Sequence, residues 1–357
     1  MKIAIITPSS LGGVSVITLK LTQGLINEGF YVDLMKIRGG TIINSFVDDL
    51  RMIRELKDYD VLLYAGSIAR VSSILRRKHA GIFIHGFLPD EYKNAILHSD
   101  IRTSLGALLE FTWWKAINMN IFKPVFYICH SKTACRNNMI PENKCVILPQ
   151  FVLPTEVDWF KKFRERLTDF RLHNNATPMM LTYTSFASSP RLLSINSLIY
   201  MAKRLGRLLR RSILFYIIKP KTLKDNIYQF DKVKVVVRDF MPRIDFLRLL
   251  ATADLYIEPG IDEEIGMDSI EAGLLKIPVA KITNPKFTAL QDFTRDEVIF
   301  EENVSHFVHS LSEYFSNIEG YKNYYGSKFH SFVSRKRSWE SVKRPLIKKL
   351  YELRSDN

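Results

Sequence analysis

The sequence predicts an α/β protein of two parallel-sheet halves, with a cleft between them. Three observations lead there. Short apolar runs alternate with amphipathic helical patterns from residue 2 onward. After a basic, aromatic stretch the pattern restarts at Met179. At 357 residues the chain also exceeds what one hydrophobic core usually supports.

Taken in order, Lys2 to Thr7 predicts a buried strand, Val14 to Glu28 an amphipathic helix stopped by Gly29, and Tyr31 to Lys36 the next strand. That βαβ unit repeats as a helix at Val47 to Leu56, a strand at Val61 to Tyr64, a helix at Ala69 to Arg77 and a strand at Gly81 to His85. A basic, aromatic stretch runs from Asp158 to Arg171. The second half then reads strand Met179 to Thr184, helix Ser194 to Arg207 and strand Ser212 to Ile218. Further strands follow at Val233 to Arg238, Leu255 to Glu258 and Val279 to Lys281. Ligands of such sheets bind beyond the carboxyl ends of the strands, which directs attention to the loops holding Gly12, His85 and Glu263.

The densest chemistry follows the strand at Leu255. Pro259 and Gly260 end it, and a helix with residues Ser269 to Leu275 comes next. Backbone amides from Gly266 through Met267 and Asp268 to Ser269 would stand at that helix N-terminus, where unpaired N–H groups and the dipole favour an anion such as a diphosphate. Glu263 and Glu271 flank them. Eight helical steps span about 12 Å, comparable to the reach from a hexose across a diphosphate to a ribose. Isolated acids of this kind are usually solvated, and it is the glycine and helix-start context that favours a site.

The block Glu263, Gly266, Glu271, Ala272, Pro278, Val279 resembles the signature of retaining, metal-independent GT-B glycosyltransferases of the large sucrose-synthase-like family (glycosyl transferases group 1, family 4-like). The segment from Pro141 to Val152, the Gly12-Gly13 loop after the first strand and the late Ser338-Trp339 are similar to further landmarks of that family. The resemblance implies a GT-B fold of two Rossmann-like domains. These are an acceptor-side domain over 1–155, a nucleotide-sugar domain over 156–330, and a helix over 331–357 crossing back to the first. It implies transfer of a sugar from a nucleoside diphosphate sugar to a glycan, lipid-linked or protein hydroxyl with retention, without metal or other cofactor. It assigns His85, Glu263 and Arg191 to the reacting centre, and Gly12, Gly13, Gly266, Met267, Asp268, Ser269 and Glu271 to donor binding. The sequence departs from the family at Glu264, Ile265 and Lys276, and at Phe186, where an arginine is usual. Lys219, Lys221 or Arg238 could supply the absent charge, although solvated basic side chains are the commoner outcome.

Fifty-one Lys and Arg against 37 Asp and Glu leave a net charge of +14, clustered at Arg76-Arg77-Lys78, Lys161-Lys162, Arg210-Arg211, Arg335-Lys336-Arg337 and Lys348-Lys349. Such a surface attracts anions. With Trp113-Trp114 it fits peripheral contact with a membrane inner face, and it fits equally a solubilising surface over core tryptophans. Two other functions remain open: nucleic-acid binding on the same scaffold, for which no module motif is present, and a GT-B-like nucleotide-sugar epimerase, which needs added acid-base groups. No apolar run reaches the roughly 18 residues of a membrane span, and the opening segment turns polar too early for a signal peptide, so a cytoplasmic protein is expected. Cys129, Cys135 and Cys145 lack zinc-site spacing and are expected to be reduced structural thiols.

Overall fold

A computed structural model describes residues 1–8, 13–37, 54–65, 79–84, 108, 112, 125–171, 177–183, 193–219, 225–260, 265–283 and 293–355. The expected helix at Ala69 to Arg77 and most of that at Val47 to Leu56 lie outside the described residues. The chain divides into two compact units, 1–150 with 339–357, and 151–338.

The first unit carries β1 (Lys2–Pro8), α1 (Gly13–Asn27), β2 (Tyr31–Ile37), β3 (Val61–Tyr64), β4 (His79–Ile84), β5 (Val125–Cys129), α2 (Lys132–Asn137) and β6 (Cys145–Ile147). Its strands form one parallel sheet in the order β2-β1-β3-β4-β5-β6. Ile3, Ala4, Ile5 and Ile6 are all buried, as a parallel strand covered on both faces requires. Gly29 takes φ 83° just past α1, the left-handed turn that ends the helix. The chain steps from β1 to β2 on one side and then to β3 on the other. Gly13 therefore opens its helix at the topological switch point of this sheet.

The last two helices, α9 (Trp339–Val342) and α10 (Arg344–Ser355), belong to this first unit. Trp339, 1% exposed, lies over Gly24, where a built Cβ would stand 2.8 Å from the indole. Its Nε1 donates to Glu28 Oε1 at 3.1 Å, Lys343 Nζ reaches the same oxygen at 2.7 Å, and Tyr351 packs on Phe30 at 5.5 Å.

The cysteines differ from expectation. The turn from α2 back to β6 brings Cys135 and Cys145 into a disulfide, with Cα atoms 6.6 Å apart, and Cys129 is a buried thiol with all three sulfurs within 4.8 Å of one another. Spacing in sequence did not show this, because the three residues come from different elements. For a separation of 10 residues, Cys135→Ser is expected to destabilise the first unit by about 2 to 3 kcal/mol. Denaturant unfolding with and without reductant checks it; identical midpoints would mean that the pair contributes nothing.

The second unit carries α3 (Pro154–Arg171), β7 (Met179–Tyr183), α4 (Ile195–Leu208), β8 (Ile213–Lys219), β9 (Asn226–Phe230), β10 (Val233–Asp239), α5 (Arg243–Thr252), β11 (Leu255–Glu258), α6 (Met267–Leu274), β12 (Val279–Ile282), β13 (Ile299–Glu301), α7 (Val304–Ser316) and α8 (Ile318–Lys336). The sheet order is β13-β12-β11-β7-β8-β10-β9, parallel throughout except for β9, which returns along β10 as an antiparallel edge. Ser194 caps α4 by accepting from Ser197 N at 3.1 Å. The stretch read as merely basic and aromatic is the 18-residue α3. One core, including Leu198, Phe215, Val235, Ile257 and Phe307, fills the space between sheet and helices. The sheet winds from β7 to β8 and β10 on one side and to β11, β12 and β13 on the other, so its switch point lies between the ends of β7 and β11. Among the described residues no helix is long and apolar enough to cross a membrane.

Candidate functional site

Glu258, at the carboxyl end of β11, stands at that switch point. Its side chain turns onto the start of α6. Oε2 accepts from Gly266 N at 3.1 Å and from the Ser269 hydroxyl at 2.6 Å, and Oε1 accepts from Gly260 N at 3.2 Å. One carboxylate, 6% exposed, thus ties both sides of the 261–264 interval to the helix N-terminus, where amides and dipole favour negative charge. Gly266 is the N-cap and needs to be glycine, since a Cβ would lie 2.9 Å from Glu258 Oε2. The register partner of Glu258 on β12 is Lys281, fully buried, so an acid and a base enter the sheet at the same level.

Asp268, in the first turn of α6, and Glu271, one turn in, meet Arg243, the first residue of α5. Arg243 Nη1 lies 2.9 Å from Asp268 Oδ1, and Nη2 pairs with Glu271 Oε2. The guanidinium sits 5.4 Å over the Phe246 ring, which in turn packs on Tyr183 at 5.7 Å at the end of β7. Burial opposes the Arg243 charge, but Glu271 and Asp268 outweigh it and raise its pKa. Burial pushes the Tyr183 and Tyr256 phenols up, with Asp268 adding to both, so both rings stay neutral beside the acids.

Behind α6, His330 Nδ1 on α8 contacts Gly273 O at 2.9 Å, and Gly273 permits that approach, since a Cβ would stand 2.7 Å from Val333. Lys276 takes φ 60° just past the helix, the left-handed position where glycine is favoured. The departure noted there is a residue held in a glycine conformation, at a cost of about 1 kcal/mol.

Of the residues expected from sequence, Gly266, Met267, Asp268, Ser269 and Glu271 gather on the first two turns of α6, and Gly13 opens α1. The expected anion seat differs in one respect: the Gly266 amide and the Ser269 hydroxyl already donate to Glu258. Gly12, His85, Arg191, Glu263, Phe186, Lys221, Trp113 and Trp114 lie outside the described residues. Of the substitute cations, Lys219 is fully buried and pairs with Asp239 and with Asp225 at 3.2 Å, while Arg238 lies 3.5 Å from Asp225. Burial works against the Lys219 charge, and the two aspartates raise its pKa regardless. Sequence reasoning missed Glu258 and Arg243. An acid ending an apolar strand was the visible signal for the first, and the second shows only in the fold.

A cleft of about 350 Å³ lies between α3 and α5, lined by Trp159, Lys162, Phe163, Arg166, Ile244 and Arg248. Trp159, 44% exposed, stacks on Phe163 at 4.8 Å.

No protein-family model and no curated protein matches the sequence. Solved structures match over the whole length. A glycosyltransferase from Rickettsia africae is 14% identical with a TM-score of 0.68, covering 100% of this chain and 99% of that one. Sucrose-phosphate synthase from Thermosynechococcus elongatus is 12% identical with a TM-score of 0.70, covering 100% of both. Anabaena HepE in complex with UDP-glucose is 12% identical with a TM-score of 0.65, covering 99% of this chain and 100% of that one. The fold is GT-B, as the sequence led us to expect.

Proposed function

We propose that the chain is a metal-independent retaining glycosyltransferase that moves a hexosyl group from a nucleoside diphosphate sugar to an acceptor hydroxyl. The observation that carries this reading is the start of α6. It is a helix N-terminus at the switch point of the second sheet, with Glu271 one turn in, buried and paired. HepE, of the same fold, was solved with UDP-glucose, which supports a nucleotide-sugar donor.

The second unit would bind the donor. Glu271 accepts hydrogen bonds from the ribose diol, and Glu263 orients the hydroxyls of the transferred sugar. The amides of Met267 and Asp268, with Arg191, stabilise the departing diphosphate as its charge grows. The Gly266 amide serves Glu258 instead, so the seat begins one residue deeper in the helix. His85 and the Gly12-Gly13 loop, on the first unit, would line the acceptor side. The exposed Trp159, with Lys162, Arg166 and Arg248 around it, supports peripheral contact with an anionic membrane, and hence a lipid-linked acceptor at the cytoplasmic face.

The test is a transfer assay with UDP-, GDP- and ADP-sugars, run with soluble glycans and with anionic vesicles carrying lipid-linked acceptors. The expected product keeps the donor's anomeric configuration by NMR, at a rate that chelator leaves unchanged. An inverted product, or activity abolished by chelator, contradicts the mechanism. Equal activity without vesicles contradicts the membrane contact.

A further inference from the structure

Glu271 is buried behind its own counter-ion. Its side chain is 8% exposed, whereas that of Arg243 is 47% exposed, and the Arg243 fork bridges Glu271 and Asp268, three residues apart on one face of α6. The Phe246 ring beneath the guanidinium limits its freedom to swing away. Other charged and titratable groups close on the same helix. They are Glu258 and Tyr256 from β11, Tyr183 from β7, His330 from α8, Arg164 from α3 and Lys276 just past the helix end. Three acids, Glu258, Asp268 and Glu271, therefore crowd the first turns of α6, and Arg243 is the cation that spans two of them.

A carboxylate withdrawn from water beside like charges is expensive to keep ionised without a paired cation. Ionisation matters here because a vicinal diol offers two O–H donors. A carboxylate accepts both, while a carboxylic acid keeps a proton of its own and loses acceptor capacity.

We propose that Arg243 is a positioning residue of the nucleotide-sugar site, which holds Glu271 ionised and sets the plane of its carboxylate so that it receives the ribose diol across neutral pH. The proposal rests on the donor-site reading given above. Arg243 acts through Glu271 and takes no part in bond making or breaking.

The test compares wild type with Arg243→Met and Arg243→Lys. Calorimetric titration would use UDP-glucose, GDP-mannose and ADP-glucose, whose diesterified diphosphates do not titrate between about pH 5.5 and pH 8. Wild-type affinity is expected to be level across that window. Arg243→Met should bind more weakly throughout, losing about a further tenfold as pH falls, because Glu271 then takes up a proton. Arg243→Lys keeps the charge but not the fork, so its affinity should drop several-fold with a level profile.

Thermal unfolding without ligand supplies a second readout. In Arg243→Met the folded Glu271 pKa lies above its unfolded value of about 4.3, so stability is lost as pH rises from there through the folded value. The deficit against wild type should widen in that direction. If wild type binds none of the three nucleotide sugars, the donor-site reading fails and this proposal with it. If wild type binds one, and Arg243→Met binds it with an unchanged profile or with one scaled equally at every pH, Arg243 is merely structural. In that case the proposal is overturned while the donor site stands.

Discussion

Glu258→Ala is expected to destabilise the second unit by about 3 to 5 kcal/mol. The change strands the Gly260 and Gly266 amides and the Ser269 hydroxyl, whose shared acceptor is 6% exposed. A buried donor left without a partner costs about 1 to 3 kcal/mol, and hydrogen bonds to a charged group stand at the upper end. Glutamine is no rescue, because its amide turns two donors towards a place where three donors already converge. Unfolding of a two-unit protein need not be two-state, so the shift should appear in the transition that reports the second unit, followed by hydrogen exchange of α6 and β11 amides. An unchanged transition, with α6 amides as protected as before, would mean that Glu258 does not hold the loop to the helix.

Glu271→Ala should show the opposite balance. Arg243 keeps Asp268 at 2.9 Å and remains half-exposed, so the loss in stability should stay within about 1 kcal/mol. Nucleotide-sugar binding should suffer more. Charge-assisted hydrogen bonds are worth about 1.5 to 3 kcal/mol, so affinity should fall about 10- to 100-fold. Two acids on neighbouring elements should thus be separable: losing Glu258 should loosen the second unit, and losing Glu271 should weaken nucleotide-sugar binding.

The parts legible from sequence were those where local and tertiary demands agree. β1, β3 and β11 are buried along their described interiors and read as short uniform apolar runs. α1 and α4 announce their limits through Gly29 and the Ser194 cap. The start of α6 was legible from Gly266, although the helix begins at Met267, two residues earlier than expected.

What stayed hidden depends on distant parts of the chain. Over its described side chains, 154–166, α3 exposes much of its charge and buries little besides Phe160, so no clear apolar stripe stood out there. β9 takes its place as an antiparallel edge only because β10 is there to pair with. The cysteines converge through the turn from α2 to β6, and Arg243 reaches Glu271 across 28 positions, for which no local spacing rule exists. Glu258 was read as the last residue of a strand. Its role depends on Gly266 and Ser269, placed by a helix that begins nine residues later.

The central claim, a nucleotide-sugar site built around α6 and Glu271, is tested most directly by calorimetric titration of wild type and Glu271→Ala with UDP-, GDP- and ADP-sugars. Wild type should bind at least one of them, and Glu271→Ala should bind the same one about 10- to 100-fold more weakly while unfolding at nearly the wild-type temperature. No binding by wild type, or equal affinity in the two proteins, would contradict it.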